Sequence, residues 1–377
     1  MRLKFCVAII SVLVCSLLYA QADSTAKKRW WQKLHPDSLV TRNLSFIPIP
    51  QLGFSPETGL LYGVAFDYFF NASGTQKKDS ARESYAWFIL YHSTRNQLIA
   101  EPNWQIYSRG EKWFSRGNAG YVNFYERMWG FGNSTVGEKN FSDVFYQRLY
   151  LQAVVGRQVR PNLFAGLRIN SSYMFSAREE LGDFTSSLPG QKSSFVNGVG
   201  PSLIADKRDH PYNTMQGWYG ELGAAFNTAI LGSQFSYTDW VLDGRYYHPF
   251  KKGGTLAMQA TANLMSGQAP WRELNRMGGP TIMRGFFEGR YRGRHLLAAQ
   301  AEYRKPINRF FKIAVFGAAG QVASEISQFS LYNNWRVAGG FGGRLLINKK
   351  RQLYLRGDLA FTNDGTTGLY FRLGEAF

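Results

Sequence analysis

The stretch Gly278–Ile307, GGPTIMRGFFEGRYRGRHLLAAQAEYRKPI, joins two unlike textures. Up to Arg294 it is glycine, arginine and bulky aromatics; from His295 it alternates small apolar with polar residues. A period of two is the signature of a strand whose faces meet different surroundings. The basic half closes a connection from Ser266 to Arg294, far longer than the ~12–15 residues beyond which loops are usually functional or disordered. Within it Arg272, Arg276, Arg284, Arg290, Arg292 and Arg294 outnumber Glu273 and Glu288. Such a loop either spreads over a surface or folds back on the strands. Gly278-Gly279-Pro280 and the bulky Phe286, Phe287 and Tyr291 favour an ordered, folded-back loop.

The same alternation runs through the rest of the chain. In Leu163–Phe175, Leu163, Ala165, Leu167 and Ile169 share one face, and Gly166, Arg168, Asn170 and Ser172 the other. In Gly254–Met265, Leu256, Met258, Ala260, Ala262 and Leu264 oppose Gln259, Thr261 and Asn263. Leu353, Leu355, Leu359 and Phe361 likewise oppose Tyr354, Arg356 and Asp358. One greasy and one polar face is what lipid outside and a wet interior require, and only a closed sheet satisfies every backbone group in lipid. About sixteen such runs follow Asn43. The reading is all-β: a transmembrane antiparallel β-barrel over residues 43–377, with its long sixth external loop folded into the lumen. Inward acids that could receive the loop's arginines are Asp67, Glu221, Asp239, Asp243, Glu302 and Asp358. Arginine suits a partly buried carboxylate because its planar fork bonds both oxygens.

The N-terminus agrees. Arg2 and Lys4, an apolar run from Phe5 to Leu18, and Ala20-Gln21-Ala22 predict a cleaved secretory signal peptide over residues 1–22. Its removal takes both cysteines, Cys6 and Cys15, so the mature chain is expected to have no disulfide and no thiol chemistry. Residues 23–42 form a short basic-aromatic periplasmic stub containing Trp30 and Trp31. Aromatics make up 16% of the chain and there are 39 glycines, a composition that fits a membrane barrel better than a soluble one. The net charge of +18 could suggest nucleic acid, but an exported chain has little occasion to meet it. The charge is concentrated instead in one set of turns. Asn348–Arg351, Pro249–Gly253, Ser108–Lys112 and Ala72–Arg82 are basic and are placed in the periplasm by counting back from Phe377. The opposite connections, including Tyr125–Val144 and Ser176–Lys192, are neutral or acidic.

No nucleophile elbow, phosphate-binding loop or zinc-protease pattern occurs, and the five histidines are scattered. No catalytic residue, cofactor or metal site is expected, and the chain is not read as an enzyme. A barrel hydrolase built from Ser and His has no motif to support it.

Met283-Arg284-Gly285-Phe286, followed by the strand holding Glu302, resembles the signature of the BamA/TamA-type superfamily, also called the bacterial surface antigen family. The resemblance implies a sixteen-stranded barrel of the Gram-negative outer membrane that inserts outer-membrane proteins or secretes polypeptides. It implies that Arg284, Gly285 and Phe286 enter the lumen and that Arg284 pairs with Glu302 on the twelfth strand. On the thirteenth, Phe316 and Gly320 match the family's wall motif, but Ala318 stands where the family has Asp. The lock is therefore expected to rest on Glu302 with less charge compensation. Asp206, Arg208, Asp209 and Gly217 match the family's turn before the ninth strand, and Leu52–Gly63 its first hairpin. The family's periplasmic POTRA modules have no counterpart in residues 23–42.

The two ends complete the reading. Pro48 and Pro50 lie two apart, so their missing N–H donors fall on one strand edge. If that edge meets the last strand, the seam is weak. At the other end Leu369, Phe371, Leu373 and the terminal Phe377 resemble a barrel assembly signal, with Glu375 an unusual charge on that face. Phe371, Leu373 and Phe377 are taken as that signal. The expected function is outer-membrane protein or envelope assembly, or polypeptide export, through a gated barrel. The alternative is a passive outer-membrane channel or a structural barrel anchoring a partner complex. Expected partners are outer-membrane lipid, unfolded outer-membrane proteins, and periplasmic or outer-membrane assembly factors.

Overall fold

The computed structural model describes residues 46–55, 58–70, 82–133, 141–180, 188–251, 253–349 and 351–377, with the backbone alone for 46–55. The expected leader and stub, with Trp30 and Trp31, lie outside the described residues. Helical structure among the described residues is confined to single 3-10 turns. The strands are β1 (Phe46–Ser55), β2 (Gly59–Phe70), β3 (Ser84–Ser93), β4 (Leu98–Tyr107), β5 (Trp113–Met128), β6 (Ser142–Arg160), β7 (Leu163–Glu180) and β8 (Ser194–Asp206). After them come β9 (Gly217–Asn227), β10 (Tyr237–Pro249), β11 (Thr255–Gly267), β12 (His295–Pro306), β13 (Phe311–Ala323), β14 (Arg336–Asn348), β15 (Leu353–Thr362) and β16 (Thr367–Leu373). All sixteen form one sheet in chain order, each antiparallel to the next.

Alternation decides which way each side chain points. Along β6, Leu149, Leu151, Val155 and Val159 are exposed, while Arg148 and Val154, of opposite parity, are buried. Along β12, Glu302 and Arg304 are buried, while Tyr303 between them is exposed. The apolar face is the outer one. The polar face is enclosed, because ion pairs and hydrogen bonds cross from strand to distant strand. Arg116 on β5 reaches Glu221 on β9 at 2.7 Å, and Arg351 before β15 reaches Glu83 before β3 at 3.2 Å. The sheet therefore curls round on itself. β1 and β16 come within 8 Å, Cα to Cα, yet no ladder joins them among the described residues.

The up-and-down order gives two rims. One, here the tail end, carries the turn after every even-numbered strand and the residues beyond β16. The other, the loop end, carries the connection Gln268–Arg294 between β11 and β12. Two loop-end connections are shorter than the sequence suggested. β5 and β6 stay paired out to Met128 and Ser142, and β7 continues to Glu180. Tyr125 against Phe145, with ring centroids 5.1 Å apart, and Arg178 over the Phe145 ring extend the ladder past the apolar alternation.

Candidate functional site: a loop anchored among buried charges

The loop between β11 and β12 reverses direction at its tip. Met283 and Gly285 both have positive φ, 54° and 108°, and Arg284 projects between them. A Cβ on Gly285 would lie 2.7 Å from Thr362 Cγ2, so only glycine gives both the turn and the close approach. The tip is then tied to β16 and its turn. The Gly285 N–H donates to the Tyr370 hydroxyl at 3.1 Å, and its carbonyl accepts from Thr366 Oγ1 at 3.0 Å.

Arg284 is 1% exposed. Its Nη2 lies 2.7 Å from Glu302 Oε2 on β12, and its Nη1 donates to Asp358 Oδ2 on β15 at 2.6 Å. The guanidinium carbon stands 3.5 Å from the centre of the Phe316 ring on β13. One cation thus meets two carboxylates and an aromatic face, all out of water, where such contacts are strongest. The carboxylates are shared. Arg344 on β14 donates to Glu302 Oε1 at 2.9 Å and to Asp358 Oδ1 at 2.5 Å. Arg304 donates to Glu302 Oε1 at 2.8 Å, and Arg356 Nη2 reaches back to the loop carbonyl of Pro280 at 3.0 Å. Gly342 makes the room: a Cβ there would meet Asp358 Oδ1 at 2.2 Å and Arg344 Nη1 at 2.8 Å.

Of the other loop arginines, Arg272 lies over the Tyr146 ring at 5.0 Å, Arg276 meets Glu288 of the loop at 3.1 Å, and acids from elsewhere in the chain take up the rest. Arg292 pairs with Glu126 on β5 at 3.2 Å, and Arg276 reaches the same carboxylate at 3.5 Å. Arg290 lies 3.3 Å from Asp364 in the β15–β16 turn, and Arg294 pairs with Glu325. Glu273 runs the opposite way, accepting from Arg148 at 3.1 Å and Ser172 at 2.7 Å on β6 and β7. Burial pushes the Glu273 carboxyl up, but Arg148 and Arg272 outweigh it and hold the group below its ordinary range. Around the tip Met277, Met283, Phe286 and Tyr291 pack on Leu296, Ala298, Ala318 and Val322.

Two expectations are corrected here. Arg284 does not meet Glu302 alone, because Asp358, two strands beyond the Ala318 position, supplies a second carboxylate. Ala318 itself lies in the apolar cluster with Met283 and Phe286. The residues expected to act together at the C-terminus also divide. Leu369 and Phe371 point outward, but β16 ends at Leu373 and Gly374, with φ 77°, turns the chain inward. Phe377 is buried with Tyr247, Ala257 and Ala376 instead of lying on the outer face. Glu375 is not on that face either. It accepts from Arg344 at 2.9 Å and lies 3.6 Å from Arg304. The charge network is why: two inward arginines stand where the tail can reach them.

Sequence reasoning missed Arg304, Arg344, Arg356 and Tyr370 as members of this cluster. Their inward parity was available, but their level along the barrel was not. Of the wall residues, Phe316 lies under Arg284, and Gly320 gives Met277 its space, since a Cβ would sit 3.2 Å from Met277 Cε. Asp206, Arg208, Asp209 and Gly217 form a separate cluster at the tail end. Arg208 and Arg82 pair with Asp206 at 2.9 and 3.0 Å, and Asp209 accepts the Met215 N–H at 3.0 Å. That turn folds inward, placing Tyr212 against Tyr85 and Asn213 against Lys312. Pro48 and Pro50 pair with Phe66 and Val64. A proline cannot enter a pair that exchanges two N–H···O bonds, so both occupy the other kind, whose backbone groups point away from β2 toward β16.

A sequence profile of the Omp85 superfamily domain matches residues 100–377, which is most of the chain and all of the site. The chain belongs to the Omp85 superfamily. Omp85 barrels are outer-membrane proteins, and solved structures share the fold of this one. BamA from Haemophilus ducreyi lacking POTRA domains 1–3 is 12% identical, with a TM-score of 0.56 over 88% of this chain and 70% of that one. CdiB from Acinetobacter baumannii is 12% identical, with a TM-score of 0.54 over 93% and 68%. CdiB from Escherichia coli is 10% identical, with a TM-score of 0.55 over 89% and 63%. No curated protein sequence matches the chain. At these identities the structural likeness speaks for the fold of this Omp85 barrel and for nothing finer.

Proposed function

We infer that this Omp85 barrel inserts or exports polypeptide through a gate, with the loop tip as its internal fastening and the β1–β16 edge as its opening. The observation that carries the reading is the Arg284 guanidinium, buried between Glu302 and Asp358 beside strands that end at an unladdered seam. Breaking a buried ion pair from one side costs about 3–5 kcal/mol, because the remaining charge is stranded. A fastening of that strength holds the loop while the seam, poor in donors at Pro48 and Pro50, yields first. An incoming unfolded outer-membrane protein would pair with the exposed edge of β1, so strand addition and not nucleotide hydrolysis supplies the energy. Periplasmic and outer-membrane assembly factors are its proposed partners. A loop that crosses the interior to β5, β6 and β7 weighs against an open, passive pore.

The test is a disulfide engineered between one cysteine in β1 and one in β16. Sealing the seam is expected to abolish outer-membrane assembly in a depletion strain while single-channel conductance is kept. Full activity of the sealed barrel overturns the gate. Arg284→Ala is expected to give larger or noisier single-channel openings, and traces identical to the unsubstituted barrel count against the fastening.

A further inference from the structure

The two rims differ in charge. At the loop end, exposed cations are mixed with acids: Arg178 pairs with Glu180 at 3.4 Å and Arg294 with Glu325. At the tail end, Arg157, Arg160, Lys207, Lys251, Lys305 and Lys349 are all exposed. The one exposed acid there among the described residues is Asp209, whose carboxylate is occupied by backbone N–H groups of Met215 and Gln216.

Where these cations sit on their strands says what they face. Arg157 has the same parity as Val155 and Val159, which are 39% and 55% exposed on the outer wall. Lys305 follows Tyr303 on the outer wall of β12. Outward aromatics crowd the same level, among them Trp113, Trp218 and Phe250, and Lys207 lies over the Trp218 ring at 5.7 Å. Lys207, Lys251 and Lys349 lie in the turns, but Arg157 and Lys305 stand on the apolar wall, where lipid and not a soluble acidic protein meets them. Cations set just beyond an apolar band, with aromatic rings at their level, match the depth of phosphate headgroups.

We propose that the tail-end rim is a binding surface for anionic phospholipid headgroups. Each basic side chain near an anionic surface contributes an attraction that favours a charged over a zwitterionic lipid by roughly fivefold, and salt screens it.

Electron spin resonance of the full chain in phosphatidylcholine bilayers tests this, using spin-labelled phosphatidylglycerol and phosphatidylcholine as probes. The barrel is expected to immobilise phosphatidylglycerol in its first shell roughly fivefold more than phosphatidylcholine, with the preference falling toward unity at ~1 M salt. The quadruple variant Arg157→Gln, Lys251→Gln, Lys305→Gln, Lys349→Gln, which leaves Arg160 and Lys207, is expected to lose at least half of the preference. Arg178→Gln with Lys192→Gln, at the loop end, is expected to keep it. Heat-modifiable migration on gels identifies folded barrels in every sample. Equal association of the two lipids with the unsubstituted barrel overturns the proposal and assigns the basic rim to an acidic periplasmic protein. A preference undiminished in the quadruple variant, or lost in the loop-end variant, overturns it as well.

Discussion

Arg284 is a single residue whose removal should be felt by two carboxylates. Arg284→Ala leaves Glu302 and Asp358 with Arg304, Arg344 and Arg356 but empties the space over Phe316. Urea unfolding from bilayers is expected to show a loss of about 1.5–3 kcal/mol, less than a stranded charge would cost, because both carboxylates keep arginine partners. Equal stability of variant and parent would mean the remaining arginines compensate fully. Ala318→Asp, which the family pattern recommends, is expected to lower stability by more than about 1 kcal/mol, because its carboxylate would be buried among Met277, Met283 and Phe286. Glu302 was legible from the sequence, since its motif and parity agree. The partnership of Asp358 was not. It depends on the stagger across β13 and β14, and on Gly342 leaving no side chain in the way, and neither is written in a period of two.

At the scale of elements, the loop and the β15–β16 turn are joined through Asp364, which accepts from the Tyr291 hydroxyl at 3.0 Å and faces Arg290. Burial raises its pKa, but hydrogen bonds from Thr362 and Thr366 and the charge of Arg290 together hold it below the ordinary carboxylate range. A depressed carboxyl stabilises the folded state fully above its unfolded pKa of ~3.9, and that contribution is lost as pH falls through the lower folded value. Protease cleavage within the loop is therefore expected to rise below about pH 4, and Asp364→Asn should flatten that dependence. The tail is a second docked element. Glu375→Gln should release it from Arg344, so carboxypeptidase is expected to remove Phe377 at least about tenfold faster; an unchanged rate would show that apolar packing alone holds the tail. The ordered loop could be read from its glycines and aromatics. The inward tail could not, because the alternation Leu369, Phe371, Leu373 runs on through Glu375 and Phe377 and conceals the break at Gly374.

For the whole molecule, the alternating faces and the sixteen strands were legible because lipid outside and polar contacts inside impose opposite demands on neighbouring residues. The seam was legible only as two prolines; that no ladder spans it among the described residues emerges from the three-dimensional arrangement. Amides of β1 and β16 are expected to exchange hydrogen faster than those of β6 and β7, the longest strands. Uniform protection around the sheet would argue against a weak edge. The inward turn at Gly374 also has a practical consequence. Any affinity handle or fluorophore fused after Phe377 would begin its path inside the cylinder, beside Tyr247 and Arg304, and would have to dislodge the tail to emerge. Reporter fusions for this barrel belong on an exposed loop-end turn, such as the one at Ile230.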